Sequence, residues 1–278
     1  MGKCKITKKK NNDIINFGKM PIANGFLNKK DFQNEYFFNM TTSFSEDISL
    51  FQLNDHPKPK MMFNKDYPFF TSSSEYMKIH FKNYARWIKE KHLKPGGKII
   101  ELGSNDGTFL KNFSILKYEH LGFEPSKNVF LIAKKNRVNS LNEFFSRENL
   151  YKAKKFIGKT DIICGANVVC HIPDLVEFIK TCDLFLNSKG KIIFEEPYLG
   201  SMYKKTSYDQ IYDEHIFIFS ISSVQKIFDL YGFQLIDAIK QTTHGGSMRY
   251  VLQRKRNNNL NQKVKRLIEY EKRNKIDS

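Results

Sequence analysis

The sequence predicts an α/β protein: a Rossmann-like parallel sheet covered by helices on both faces, with a small module appended at the N-terminus. Three observations predict it. From Lys98 onward, short apolar runs alternate with amphipathic helical patterns. The run Ile99-Ile100-Glu101-Leu102-Gly103-Ser104-Asn105-Asp106-Gly107 ends an apolar strand in a tight turn with two glycines four apart. And 278 residues at 40% hydrophobic content can bury a full core, as one large domain or two small ones.

The elements follow in chain order. Residues 1–65 carry short apolar clusters, among them Tyr36-Phe37-Phe38 and Leu50-Phe51-Gln52-Leu53, and read as a module of short strands. Ser73 or Ser74 can cap a helix in which Met77, Phe81, Tyr84 and Ile88 recur at helical spacing, and Pro95-Gly96-Gly97 ends it. Strands are expected at 98–102, 119–123, 138–141, 160–165 and 190–195, and helices at 107–116, 126–135, 147–155, 173–186 and 221–231. Residues 233–240 and 248–254 read as two more strands that could form an antiparallel sheet edge. Residues 259–278 form a charged helical pattern around Val264, Leu267, Ile268 and Tyr270. The expected domains are therefore 1–65, 66–256 and 257–278.

Composition narrows the function. The net charge of +17 invites a nucleic-acid partner, but the basic residues are spread through loops such as 8–12 and 254–259 and form no single stripe. A diffuse excess of this kind reads as a compositional habit with solvated faces rather than a nucleic-acid footprint; it can still assist an anionic small substrate, and no nucleic-acid partner is expected. No apolar run approaches the roughly 20 residues of a membrane helix. The basic N-terminus has no apolar stretch behind it, so a cytoplasmic protein with no membrane partner is expected. The four cysteines, Cys4, Cys164, Cys170 and Cys182, form no C-x-x-C pair, and no metal ligand set is expected. Cys164 and Cys170 read as buried free thiols.

The candidate chemistry begins at the glycine turn. Glycine lets the backbone turn sharply and lets a ligand approach, and the helix start that follows offers free N–H groups. The spacing is neither the dinucleotide G-x-G-x-x-G nor a P-loop. Glu124, at the end of the next strand, can hold both hydroxyls of a ribose or cap the helix after Pro125. Asn167 and His171 follow the fourth strand, where residues face the ligand crevice of an open α/β sheet, although a lone histidine at a helix start also reads as a capping or core residue. After the fifth strand come Glu195-Glu196-Pro197-Tyr198 and then Tyr208-Asp209-Gln210-Ile211-Tyr212-Asp213-Glu214-His215. A histidine beside a glutamate suits a general base near neutral pH, and a tyrosine hydroxyl can donate to a developing enolate. The same segment also reads as a solvated connector. Thr243-His244-Gly245-Gly246-Ser247 is either a simple hairpin turn or a contact to substrate.

Taken together, E-L-G-S-N-D-G, G-F-E-P-S, A-N-x-x-C-H-I-P, E-E-P-Y-L-G, Y-D-Q-I-Y-D-E-H and H-G-G-S-x-R resemble the sugar C-methyltransferases that use S-adenosylmethionine (SAM). The resemblance runs from about Gly18 to the C-terminus and includes Gly18-Lys19-Met20-Pro21-Ile22-Ala23-Asn24. E-x-G-x-x-x-G is the glycine-loop form used by SAM methyltransferases. The resemblance implies a nucleotide-linked 4-keto deoxy sugar as substrate, methylated at carbon through an enolate. It implies SAM on Glu101, Gly103, Ser104, Asn105, Asp106, Gly107, Glu124, Pro125 and Asn167, with Phe145 near the adenine. It implies His215 as the base, with Tyr212, Glu214, His171 and Tyr67 around it, and substrate contacts from Tyr198, Tyr208, His244, Gly245 and Ser247.

Two departures from the family stand out. The family carries a four-cysteine zinc site in its N-terminal module, whereas here only Cys4 stands where a ligand would, so no zinc is expected. Family members also continue into a second Rossmann-like half. The expectation is a truncated form, or a separate chain supplying that half. Two rival readings follow: a SAM-binding homologue without turnover, and an O- or N-methyltransferase on another small molecule.

Overall fold

The computed structural model describes residues 2–256 and 259–278; the expected boundary at 257 lies outside the described residues. Its strands are β1 (Asn12–Pro21), β2 (Phe37–Ser45), β3 (Leu50–Leu53), β4 (Lys98–Leu102), β5 (Glu119–Phe123), β6 (Ser140–Leu141), β7 (Thr160–Ala166), β8 (Leu186–Pro197), β9 (Phe217–Ile218), β10 (Phe233–Gln241) and β11 (Ser247–Arg254). Its α-helices are α1 (Pro59–Met62), α2 (Glu75–Lys91), α3 (Lys111–Ser114), α4 (Lys127–Lys135), α5 (Leu175–Phe185), α6 (Leu199–Lys205), α7 (Ile221–Asp229) and α8 (Gln262–Arg273). The chain divides into two compact units, one of residues 1–62, 169–176 and 195–278, the other of 63–168 and 177–194.

The second unit holds the strand order β8-β7-β4-β5-β6, in which β4 runs parallel to both β5 and β7. The central strand reads Ile-Ile-Glu-Leu because both faces are covered: Ile99 and Ile100 are fully buried. From β4 the chain steps outward to β5 and β6, then returns to the other side of β4 at β7. That reversal opens a crevice at the carboxyl ends of β4 and β7, where ligands of open α/β sheets bind. Helix α2 covers the sheet with Phe81, Tyr84, Ala85 and Ile88, one buried stripe at i, i+3, i+4, i+7. Ser74 is its N-cap, accepting the Met77 N–H, and the Tyr84 hydroxyl donates to the Ile193 carbonyl.

Two expected helices differ here. The helix expected at 107–116 contracts to α3, because the Asn112 side-chain amide donates to the Thr108 and Phe109 carbonyls that a regular helix would use. The helix expected at 147–155 is a 3-10 run over Arg147–Phe156 with a break at Ala153. The strand expected at 138–141 pairs only over Ser140 and Leu141.

In the first unit, β1-β2-β3-β9 form an antiparallel sheet. The N-terminal strands fold with the end of the chain in this unit, because β9 extends the sheet at β3 and the Ser49 hydroxyl donates to the Asp277 carbonyl. Phe51, Leu199, Ile218 and Ile276 share one apolar cluster. Strands β10 and β11 pair as an antiparallel hairpin, as the sequence predicts. Helix α8 is tied in by Glu271, whose buried carboxylate accepts from Tyr198 Oη, Ile221 N, Ser222 N and Ser222 Oγ at 2.6–2.8 Å. A carboxylate there satisfies the free N–H groups at the start of α7. Cys4 is buried in a turn whose Sγ accepts the Thr7 N–H at 3.4 Å; among the described residues it joins no cluster of three metal-ligating side chains.

Candidate active site

The loop after β4 turns tightly. Gly103, Asn105 and Gly107 all have positive φ, at 57°, 47° and 80°. At Gly107 a Cβ would sit 2.8 Å from the Val138 side chain, so only glycine fits that turn. Asn105 and Asp106 fasten the loop: Asn105 Oδ1 accepts the Thr71 N–H at 2.9 Å, and Asp106 Oδ2 accepts the Ser72 N–H at 2.7 Å. Ser104 is buried with its hydroxyl 3.2 Å from that of Ser140. The side chains of Ser104, Asn105 and Asp106 thus shape the loop, and its backbone borders the crevice.

Glu124 accepts the Asn105 N–H at 2.8 Å on one oxygen and the Ser126 N–H at 2.7 Å on the other. It therefore caps the helix after Pro125 and braces the glycine loop at once, and each oxygen retains a second lone pair. Burial pushes its pKa up, against the pull of those two N–H donors. Glu101 is also buried, and its Oε2 has no hydrogen-bond partner among the described residues. Burial raises its pKa well above the usual range, and the charges of Asp106 and Glu124 add to that. A buried unpaired carboxylate oxygen is costly without a ligand. Both oxygens of Asp106 and of Glu124 accept hydrogen bonds, so of these three carboxyls it is the Glu101 oxygen that is left to meet a ligand. Asn167 follows the end of β7 with φ at 51°. Phe145 packs edge-on against Phe123 with ring centres 5.2 Å apart, and Tyr67 packs near Phe63 with its carbonyl accepting from Asn128.

The first unit brings a second constellation together. His215 and His171 are buried and stack with ring centres 5.4 Å apart. His215 Nδ1 lies 2.8 Å from the Gln210 carbonyl oxygen, and Nε2 lies 3.2 Å from the Tyr212 hydroxyl. A carbonyl only accepts, so this partner assigns the proton to Nδ1 and leaves the lone pair on Nε2. Burial lowers the His215 pKa to about 4, opposed by the Gln210 carbonyl, and the imidazole is neutral at pH 7. Burial also drives the His171 pKa well down, and the nearby His215 and His244 add to it. Glu214 Oε1 accepts from the Asn24 amide at 2.7 Å. Burial raises the Glu214 pKa to about 7, so this carboxyl exchanges its proton near neutrality. Its neighbour Asp213 accepts the Ala23 N–H at 3.2 Å, and burial raises its pKa too.

The expected substrate residues fall out differently from one another. Tyr198 is buried and its hydroxyl donates to Glu271, whereas Tyr208 is exposed. His244 and Gly245 form the exposed tip of the β10–β11 hairpin, both with positive φ, and the Ser247 hydroxyl donates to the Thr243 carbonyl. Sequence reasoning assigned no role to Asn24, Glu195, Glu196 or Arg249. Arg249 Nε donates to Glu195 Oε1 at 2.6 Å in a buried ion pair, and Glu196 Oε1 accepts the Val169 N–H at 2.8 Å. The signal was present: buried acids in E-E-P and the arginine of H-G-G-S-x-R imply partners, because such charges are rarely buried alone.

These features define a class of protein. The chain belongs to the methyltransferase domain family, whose sequence model matches residues 75–238. Its fold is the Rossmann-like α/β fold of SAM-dependent methyltransferases, and SAM is the cofactor of that class. Among particular relatives, it is 26% identical over 238 residues to the C-methyltransferase NovU of Streptomyces niveus, covering 85% of this chain and 56% of NovU. The chain thus spans a little over half the length of that relative. Two solved structures share the fold. One is the PH0226 protein of Pyrococcus horikoshii, at TM-score 0.54 and 14% identity over 67% of this chain and 95% of that one. The other is the magnesium protoporphyrin IX methyltransferase of Synechocystis with bound S-adenosylhomocysteine, at TM-score 0.50 and 13% identity over 64% and 83%. Among the described residues no helix is long and apolar enough to cross a membrane.

Proposed function

We propose that this chain methylates a carbon next to a ketone on a nucleotide-linked 4-keto deoxy sugar. SAM, held by the second unit, supplies the electrophilic methyl group. The chain's own residues handle the proton. His215 Nε2 takes the proton from the carbon alpha to the ketone; Gln210 holds the ring in the tautomer that leaves this nitrogen free to accept. Tyr212 donates its hydroxyl to the enolate oxygen once Nε2 is occupied by the proton. Glu214, whose carboxyl exchanges its proton near neutral pH, is assigned with Tyr212 to orient the base and stabilise the enolate. His171, stacked on His215, keeps the base in register. Tyr67 is assigned as a further hydroxyl donor, and Tyr208, His244, Gly245 and Ser247 as contacts to the sugar nucleotide. Tyr198 meets substrate only through its ring, because its hydroxyl donates to Glu271.

The observation that carries this reading is the Gln210–His215–Tyr212 chain, an imidazole base with its proton side fixed and its lone pair beside a phenol. The similarity to NovU favours carbon over oxygen or nitrogen as the acceptor. Solvent-deuterium exchange tests the base directly. In heavy water, with nucleotide-linked 4-keto deoxy sugar and S-adenosylhomocysteine, the enzyme should exchange the proton alpha to the ketone. His215→Gln should lose that exchange. Equal exchange in wild type and variant would remove His215 from the reaction.

A further inference from the structure

We propose that Cys170, His171 and His215 form a binding site for a thiophilic divalent cation such as Zn2+, and that loading this site blocks His215. One donor atom from each of the three lies within 4.8 Å of the other two, and all three residues are buried. One thiolate and two imidazoles are a donor set suited to a borderline-soft ion. In a tetrahedral zinc site, bond lengths of about 2.0–2.3 Å put such donors about 3.3–3.6 Å apart. The three side chains therefore need to close by only about an ångström, within the reach of small χ adjustments.

The local backbone already gathers the donors. Cys170 and His171 lie together on the single 3-10 turn Val169–His171, and Glu196 anchors that turn by accepting the Val169 N–H at 2.8 Å. His215 comes from the Tyr212–His215 corner, and its ring is held from behind by the Gln210 carbonyl at 2.8 Å. The rings of His171 and His215 are within 20° of parallel. An outer partner on the far nitrogen is what orients a ligating imidazole in metal sites, and Gln210 supplies one. Three protein ligands leave a fourth position open for water. On binding, a metal–sulfur bond replaces the Cys170 S–H bond and the thiol proton leaves to solvent; no electron is transferred.

Cys4 is not one of the three donors. Binding itself does not depend on the proposed reaction. Blocking does, because it assumes that the Nε2 lone pair of His215 is the base: a metal on that lone pair leaves it unable to take a proton.

Cobalt makes the site visible. The full chain, free of SAM, is titrated with CoCl2 and followed in the near ultraviolet and visible. The expected result is a sulfur-to-cobalt charge-transfer band with the intense visible bands of four-coordinate cobalt, displaced by Zn2+. Cys170→Ser should abolish the charge-transfer band and weaken Zn2+ binding by on the order of 100-fold. Cys4→Ser should leave the band unchanged. His171→Asn, the second variant, should keep the charge-transfer band at lower affinity. No band on folded wild type, or a band that survives Cys170→Ser, overturns the site. In the exchange assay, Zn2+ should inhibit wild type reversibly, with activity restored by a chelator. A cobalt band without Zn2+ inhibition would overturn the block, and the His215→Gln exchange experiment then decides separately whether His215 is the base.

Discussion

Replacing Glu214 by Gln separates its proton from its hydrogen bond. Glutamine keeps the carbonyl oxygen that accepts from Asn24 at 2.7 Å, but it holds no ionisable proton and so imitates the protonated acid. In the folded chain burial raises the Glu214 pKa from 4.5 to about 7, with Asp213 adding to the shift and Asn24 opposing it. A raised carboxyl pKa means that the native state holds the proton more tightly than the unfolded chain. Below pH 4.5 both states are protonated and the native state keeps its full advantage. Between pH 4.5 and 7 the unfolded chain loses its proton first, and the advantage fades as pH rises. The whole displacement is worth about 3 kcal/mol. Other buried acids titrate as well, so the informative quantity is the difference between wild type and variant. Urea unfolding at a series of pH values should show the two equally stable near pH 4. The variant should gain by up to about 3 kcal/mol at pH 8. Parallel stability curves across that range would refute the assignment of Glu214 as a buried acid that titrates near neutrality.

Three further outcomes are expected. His215→Gln should abolish methyl transfer while SAM affinity, measured by titration calorimetry, stays within about threefold, because His215 lies outside the glycine loop. Gly107→Ala should destabilise the fold by about 1–3 kcal/mol in urea unfolding, because a Cβ there meets Val138 at 2.8 Å with φ at 80°, and it should weaken SAM binding. Glu271→Ala should cost about 3–5 kcal/mol, because it leaves Tyr198 Oη and the Ile221 and Ser222 N–H groups buried without their acceptor; thermal unfolding of the variant measures this.

Much of the second unit was legible because its signals are local. The apolar run Ile99-Ile100, the glycines at 103 and 107 and the Ser74 cap each act over a few residues, and the structure forms β4, its loop and α2 there. The helix expected at 107–116 was misjudged in length because the Asn112 side chain competes for the backbone carbonyls, a bond that hydrophobic periodicity does not register. The long-range pairings were hidden for a different reason. Asn24 to Glu214, Ser49 to Asp277 and Arg249 to Glu195 join residues far apart in sequence, and each partner alone looks like an ordinary surface polar group. Glu271 is the sharpest case. In a helix rich in charge it reads as one more exposed acid, yet it is fully buried and caps α7. Glu124 could be read as ribose ligand or helix cap, and the structure shows the capping bonds with lone pairs to spare.

One chemical claim is central: the methyl group goes to carbon by way of a base-generated enolate. Carbon-13 magnetic resonance of the product formed from methyl-labelled SAM and a nucleotide-linked 4-keto deoxy sugar tests it most directly. The predicted result is a methyl signal bonded to the ring carbon beside the ketone, with the proton of that carbon gone. A label found on oxygen or nitrogen would contradict it.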